Sequence, residues 1–216
     1  MKTILAIGLL AAASVIAHRL DEYLQGTIIA VEKDRVQAEI TLTPGVAVFP
    51  ILLADIDSDA DGVISETEQR AYSARVLHDL SLTIDGRPLT LRLLSSHFPS
   101  LQEMKDGLSG IHIEFIANVP PGGRNRRLIF ENHHQSRIAA YQVNCLAPSD
   151  PEIQIIGQNR DYLQSRYQLD YVQTGARSDS LFLLWWRGDL LWLGGAALLL
   201  FARLAWLWRK RTAATT

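Results

Sequence analysis

Apolar and polar residues alternate along residues 22–31 and 35–43 on either side of the polar connection Glu32-Lys33-Asp34, the pattern of a β-hairpin. A second hairpin is predicted where residues 80–84 and 88–94 flank Asp85-Gly86. That dipeptide tolerates the positive φ angles a two-residue turn requires. Further strand-like runs cover residues 110–119, 127–132, 138–145, 153–158 and 166–173. Loop material separates them: Pro120-Pro121-Gly122-Gly123, Asn132-His133-His134 and Pro148-Ser149-Asp150-Pro151. Seven to nine short strands at this spacing predict a mainly β, sandwich-like domain.

The period changes between the second and third strands. Val48, Ile51, Leu52 and Ile56 recur with the spacing of one helical face, and Pro50 near the first turn makes that helix short. Residues 66–80 lack Gly and Pro and place Tyr72, Val76, Leu77 and Leu80 on one side. Between the two helices the chain reads Asp-Ser-Asp-Ala-Asp-Gly-Val-Ile-Ser-Glu-Thr-Glu, residues 57–68. A hard cation wants six to eight oxygens at about 2.3–2.6 Å, and a short loop converges them only if alternate residues point inward about one left-handed turn. Asp57, Asp59 and Asp61 supply alternate carboxylates, Gly62 the turn, and Val63 a backbone carbonyl. Ser65 can hold a water, and Glu68 closes the set bidentately. An acidic turn ahead of a helix also uses Asp and Ser. The joint register of three aspartates, the glycine and the glutamate favours the cation.

Residues 46–80 therefore resemble an EF-hand, which implies Ca2+ as the bound ion and a helix–loop–helix inserted into the β domain. Hands usually pair through position 8, here Ile64, and no second loop is present. Residues 161–170 carry acids without the glycine or the spacing. Ile64 must then be supported by a strand of the sandwich or by a second chain, or the site is simply rigid. Four carboxylates in one loop repel one another, so calcium is expected to order residues 47–80 for structure or for binding a partner, and its removal to fray them while the sandwich persists.

The ends carry a different signal. Residues 1–17 read as a signal peptide: Lys2, an apolar run over 4–16, and Val15 and Ala17 before the cleavage point. Residues 18–174 form the exported domain and 175–189 a linker and interfacial segment. Residues 190–208 read as one transmembrane helix, apolar but for Arg203, which is near enough to the end to snorkel. Trp185, Trp186 and Trp192 mark one interface, and Trp206 and Trp208 the other. Arg209, Lys210 and Arg211 open a basic tail, residues 209–216, placed in the cytoplasm. The expectation is a single-pass cell-membrane protein with a periplasmic or extracellular domain. Its partners are the membrane and either another membrane protein or a second copy, packed through Gly194, Gly195, Ala196 and Ala197.

Composition changes this picture little. A net charge of −2, with basic and acidic residues mixed, leaves no nucleic-acid footprint. The sole cysteine, Cys145, excludes an intrachain disulfide and reads as a core thiol. There is no Gly-x-Ser-x-Gly, His-Glu-x-x-His or phosphate-binding glycine loop, so the chain reads as a non-enzyme. Cleavage after Ala17 would expose His18, whose amine and imidazole chelate Cu(II) or Ni(II). That alternative, a transition-metal handling module, needs a partner among His97, His112, His133 and His134. His133-His134 in its polar loop is expected to be a solvated turn. The segments His18-Arg19-Leu20-Asp21-Glu22-Tyr23-Leu24-Gln25 and Leu42-Thr43-Pro44-Gly45-Val46 resemble the exported front domain of bacterial membrane proteins related to the hydrogenase and urease accessory transporters. The resemblance implies a periplasmic domain in a nickel- or metal-linked membrane system. One span in place of a multi-helix bundle means that transport is not carried over.

Overall fold

In the computed structural model, which describes residues 21–174, the alternating segments pair into two five-stranded sheets. The elements run β1 (Tyr23–Val31), β2 (Arg35–Pro44), α1 (Phe49–Ile56), α2 (Glu66–His78), β3 (Leu80–Ile84), β4 (Arg87–Pro88), β5 (Arg92–His97), α3 (Leu101–Lys105), β6 (Ile111–Asn118), β7 (Asn125–Asn132), β8 (Ala139–Cys145), β9 (Ile153–Arg160) and β10 (Arg166–Gln173). One sheet has the order β5-β6-β2-β1-β8, the other β4-β3-β7-β10-β9. All pairings are antiparallel except that of β1 with β8. Inward-facing residues of both sheets, among them Ile29, Ile40, Ile113, Phe115, Leu82, Phe130 and Leu169, join one hydrophobic cluster. The mainly β architecture and the helical insertion between β2 and β3 are as the alternation predicts.

Several local expectations are corrected. The run over 88–94 is not one strand. Asp85 and Gly86 both take positive φ, 51° and 77°, and close a tight hairpin, but Leu89 makes its last bond to that sheet, its N–H donating to the Leu82 carbonyl at 2.8 Å. Thr90 and Leu91 then carry the chain to the other sheet, where β5 pairs with β6. Ile51, placed by spacing on the buried face of α1, is 58% exposed; Phe49, Leu52 and Ile56 form that face instead. Pro50 does sit in the first turn. Leu80 belongs to β3, because α2 ends at His78 and is capped by Asp79. The short helix α3 escapes periodicity. Its signature is the capping box Ser100–Glu103, in which each side chain accepts a hydrogen bond from the other's backbone N–H.

What seats the insertion on the sheets is a buried run of polar side chains. Tyr23 on β1, Tyr72 on α2 and His134 in the β7–β8 connection are all almost fully buried. The Tyr23 and Tyr72 hydroxyls lie 2.7 Å apart, Tyr72 Oη is 2.9 Å from His134 Nε2, and His134 Nδ1 is 2.8 Å from Asp79 Oδ2. The carboxylate can only accept, so Nδ1 carries the hydrogen and Nε2 accepts from Tyr72. The Tyr72 oxygen in turn accepts from Tyr23. Gln25, also buried, donates to the His134 carbonyl and accepts from Asn132 Nδ2, each at 2.9 Å. These bonds set which face of β1 points inward: Tyr23, Gln25, Thr27 and Ile29 are buried while Leu24 and Ile28 are half exposed. His133-His134 is thus only half a solvated turn, since His133 is exposed and His134 is locked in the interior.

Two outcomes follow. Tyr72→Phe keeps the ring but strands the Tyr23 hydroxyl and His134 Nε2, and should destabilise by about 1–3 kcal/mol in urea unfolding. Burial pushes the His134 pKa below its ordinary 6.5, against the opposing pull of Asp79. The unfolded chain then takes up the proton at a higher pH than the native protein does. Stability should therefore fall as pH drops below about 6.5 and level off beneath the native value. His134→Gln should flatten that slope in unfolding curves recorded from pH 7.5 down to pH 5.

Candidate metal centre

The loop is held at both ends by helices. At its start, Asp57 caps α1, its N–H donating to the Leu53 carbonyl at 2.8 Å. At its end, Ser65 caps α2 in a reciprocal box with Glu68: the Ser65 hydroxyl accepts from Glu68 N at 3.3 Å while Glu68 Oε2 accepts from Ser65 N at 2.9 Å. The helices are tied together behind the loop. Arg75 of α2 pairs with the Asp55 carboxylate at 3.2 Å, donates to the Asp55 carbonyl, and lies over the Tyr72 ring.

Within this frame the carboxylates of Asp57, Asp59 and Asp61 each offer an oxygen within 4.8 Å of the others. Ligands held at about 2.4 Å from one ion are at most about 4.8 Å apart, so the three are close enough to share one hard cation. Backbone N–H groups aim them. Asp57 accepts from Asp61 N at 3.2 Å and Gly62 N at 3.0 Å, Asp59 from Asp61 N at 3.3 Å, and Asp61 from Val63 N at 2.7 Å. Asp57 is buried; Asp59 and Asp61 face solvent.

Glu68 stands at the edge of this cluster. It is buried, its Oε1 accepting from Ser58 N at 2.6 Å and from the Ser58 hydroxyl at 3.0 Å, and its Oε2 from the two Ser65 donors. The Ser65 and Ser58 donors pull its pKa down to about 2, so it is ionised throughout the neutral range. The Asp61 N–H holds the Asp59 carboxyl down, but partial desolvation, the charges of Asp61 and Glu68 and a hydrogen bond shared with Asp57 outweigh it and leave that pKa raised. Asp57, Asp59, Asp61 and Glu68 are thus crowded together, and their repulsion is felt at Asp59. A cation placed among the three aspartates would reverse that sign.

Of the sequence-predicted ligands, the structure brings Asp57, Asp59 and Asp61 together. Glu68 and Ser65 engage each other at the start of α2, and Val63 lies on the exposed arc of the loop. Ile64 lies outside any strand and packs against the hydrophobic core, its carbonyl accepting from Gln69 Nε2 at 3.1 Å. Core packing therefore supports position 8 where a paired strand was one expectation. Cys145 is half buried, and burial lifts its pKa to about 11, which leaves the thiol protonated at neutral pH. His18 lies outside the described residues, as do the segments expected to be signal peptide, linker, transmembrane helix and basic tail. Among the described residues no helix is long and apolar enough to cross a membrane. The buried His134 is committed to Tyr72 and Asp79, which removes it from the partners open to His18. The features missed in the sequence are this histidine's network and its anchors Tyr72, Asp79 and Tyr23; the one signal was a His-Asn-rich turn facing a Tyr in helical register. Comparison with family models, curated proteins and solved structures finds no match.

The loop backbone gives its own test. Gly62 (φ 80°) and Ala60 (φ 58°) both adopt left-handed conformations. A Cβ at Gly62 meets nothing within 4 Å, so the cost of a side chain there is conformational alone. Gly62→Ala should destabilise the domain by about 1–2 kcal/mol, whereas Ala60→Gly should be neutral or stabilising by up to about 1 kcal/mol. Urea unfolding of both variants checks the pair.

Proposed function

We propose that this chain binds one calcium ion in the loop of residues 57–68, within an exported domain carried on a single membrane span. The observation that carries the reading is the convergence of three aspartate carboxylates, from alternate positions of one loop, to a spacing one cation fits. Asp57, Asp59 and Asp61 would provide side-chain oxygens, Val63 its carbonyl, Ser65 a bound water and Glu68 a bidentate carboxylate. An all-oxygen, strongly anionic set favours Ca2+, Mg2+ or Mn2+ over softer metals, and the seven-oxygen count favours the larger Ca2+. For Glu68 to ligate, its carboxylate turns from Ser58 toward the aspartates while the Ser65 hydroxyl keeps the helix capped.

The ion's role in this reading is local. Tyr72, Val76 and Asp79 fix α2 to the sheets through contacts that involve no loop residue. Phe49, Leu52 and Ile56 do the same for α1. Calcium would then order the arc between the helices, a narrower effect than fraying of residues 47–80, and prepare that surface for a partner. Export, the membrane span and a membrane-protein or self partner remain part of the proposal on the sequence signals already described.

Thermal melts of the protein in chelator and in calcium, beside Glu68→Gln, test it. Glutamine can keep the Ser65 side of the capping box but sets an NH2 donor against Ser58 N, so the variant is expected to melt below the parent in chelator, and the readout is each protein's own gain from calcium. At a calcium concentration about 100 times the dissociation constant the parent should gain about 2.7 kcal/mol, roughly 5–10 °C. Glu68→Gln should gain little. Equal melting of the parent with and without calcium would remove the proposal.

A further inference from the structure

We propose that His97 and His112 form a second metal site, for a borderline divalent transition-metal ion of the Cu(II) or Zn(II) class, on the outer face of the sheet and oriented by Glu39. The two residues stand directly opposite each other on β5 and β6, and Thr41 of β2 is opposite His112 on its other side. Their neighbours in sequence, Ile111 and Ile113, point into the core, which leaves His112 on the outward face. The His97 and His112 rings have centroids 6.5 Å apart with a tilt of 44°.

Glu39 supplies the feature that distinguishes this pair from two solvated histidines. Its Oε1 lies 2.8 Å from His112 Nδ1, and the Thr41 hydroxyl lies 3.3 Å from the same nitrogen. A carboxylate offers no hydrogen, so the bond requires the proton on Nδ1 and leaves the lone pair on Nε2. An imidazole oriented and made more basic by a carboxylate on its far nitrogen is the form in which histidine binds metals best. With metal–nitrogen bonds of about 2.0–2.1 Å, two rings on one ion have centroids about 5–6 Å apart. Rotation of the exposed His97 side chain would bring the pair to that distance while His112 keeps its bond to Glu39. Glu114, the next outward residue on β6, is bonded to Gln37 and Ser95 and is left out of the site. The remaining coordination positions fall to water.

The donor chemistry names the ion. Two neutral imidazoles suit Cu(II), Ni(II) and Zn(II) and hold Ca2+ poorly, and Cu(II) stands highest in the affinity order. The site is therefore chemically separate from the oxygen loop. Titration of the full chain with Cu(II), in saturating calcium and followed by electron paramagnetic resonance, should show a signal coupled to two imidazole nitrogens. His97→Ala and His112→Ala should each lose that signal, and Glu39→Gln should weaken binding about 10–100-fold. His133→Ala should leave it unchanged, and a cooperative thermal melt of each variant certifies that it folds. An unchanged copper signal in the His97→Ala/His112→Ala double variant, or its loss in His18→Ala alone, would overturn the assignment, as would a parent that binds no copper.

Discussion

The buried run Tyr23–Tyr72–His134–Asp79 is the constraint from which the rest of the arrangement follows. Three polar side chains drawn from β1, α2 and the β7–β8 connection leave water together, and Asp79 at the cap of α2 reaches them from the partly exposed rim. Each donor and acceptor then needs a partner, because an orphan in the interior costs about 1–3 kcal/mol. Only one face of β1 carries both Tyr23 and Gln25, and their bonds to Tyr72, His134 and Asn132 fix its register. Hydrophobic burial makes the domain collapse, but it does not choose between Leu24 and Gln25 for the inner face of β1. The network does, and it leaves Leu24 and Ile28 half exposed as the consequence.

The same constraint decides what an ion in the loop is able to do. In a sensor hand, calcium swings the two helices apart and exposes a groove. Here α2 is pinned along its second half by Tyr72, Val76 and Asp79, and the Arg75–Asp55 pair joins it to α1. Opening would break several buried hydrogen bonds at once. The helix ends are thus fixed points, and ion binding acts on the twelve-residue arc between them. That geometry suits a structural or surface-forming role, and if the loop is an EF-hand it would need no second one beside it: Ile64 rests on the core where a paired hand would offer a strand.

Much of this was legible in the sequence, for identifiable reasons. Strands β1, β2, β3, β6, β7, β8, β9 and β10 fall where alternation places them, and the three aspartates that meet in the loop are close together in one short segment. Legibility fails wherever a residue's role depends on a partner distant in sequence. His134 reads as loop because the residues that bury it are 55 positions away in Asp79, 62 in Tyr72 and 109 in Gln25. The split of β4 from β5 is invisible for a related reason: the run of leucines at 89, 91, 93 and 94 satisfies a strand pattern whichever sheet it joins. Ile51 misled because an eight-residue helix on a convex surface buries a narrower face than its spacing allows.

The two candidate metal positions illustrate how one fold keeps different ions apart. In the loop every donor within reach is oxygen, the charge is strongly negative, and the ends are rigid, which selects a hard cation of the right size. On the outer sheet the donors are imidazole nitrogens and the carboxylate is engaged as a hydrogen-bond acceptor. Borderline metals prefer nitrogen strongly enough that calcium at high concentration does not compete for it. Copper can bind carboxylates, but the loop imposes a geometry spread over six or seven oxygens that a tetragonal ion cannot use in full. Selectivity in both places comes from donor type and shape, with affinity alone deciding neither.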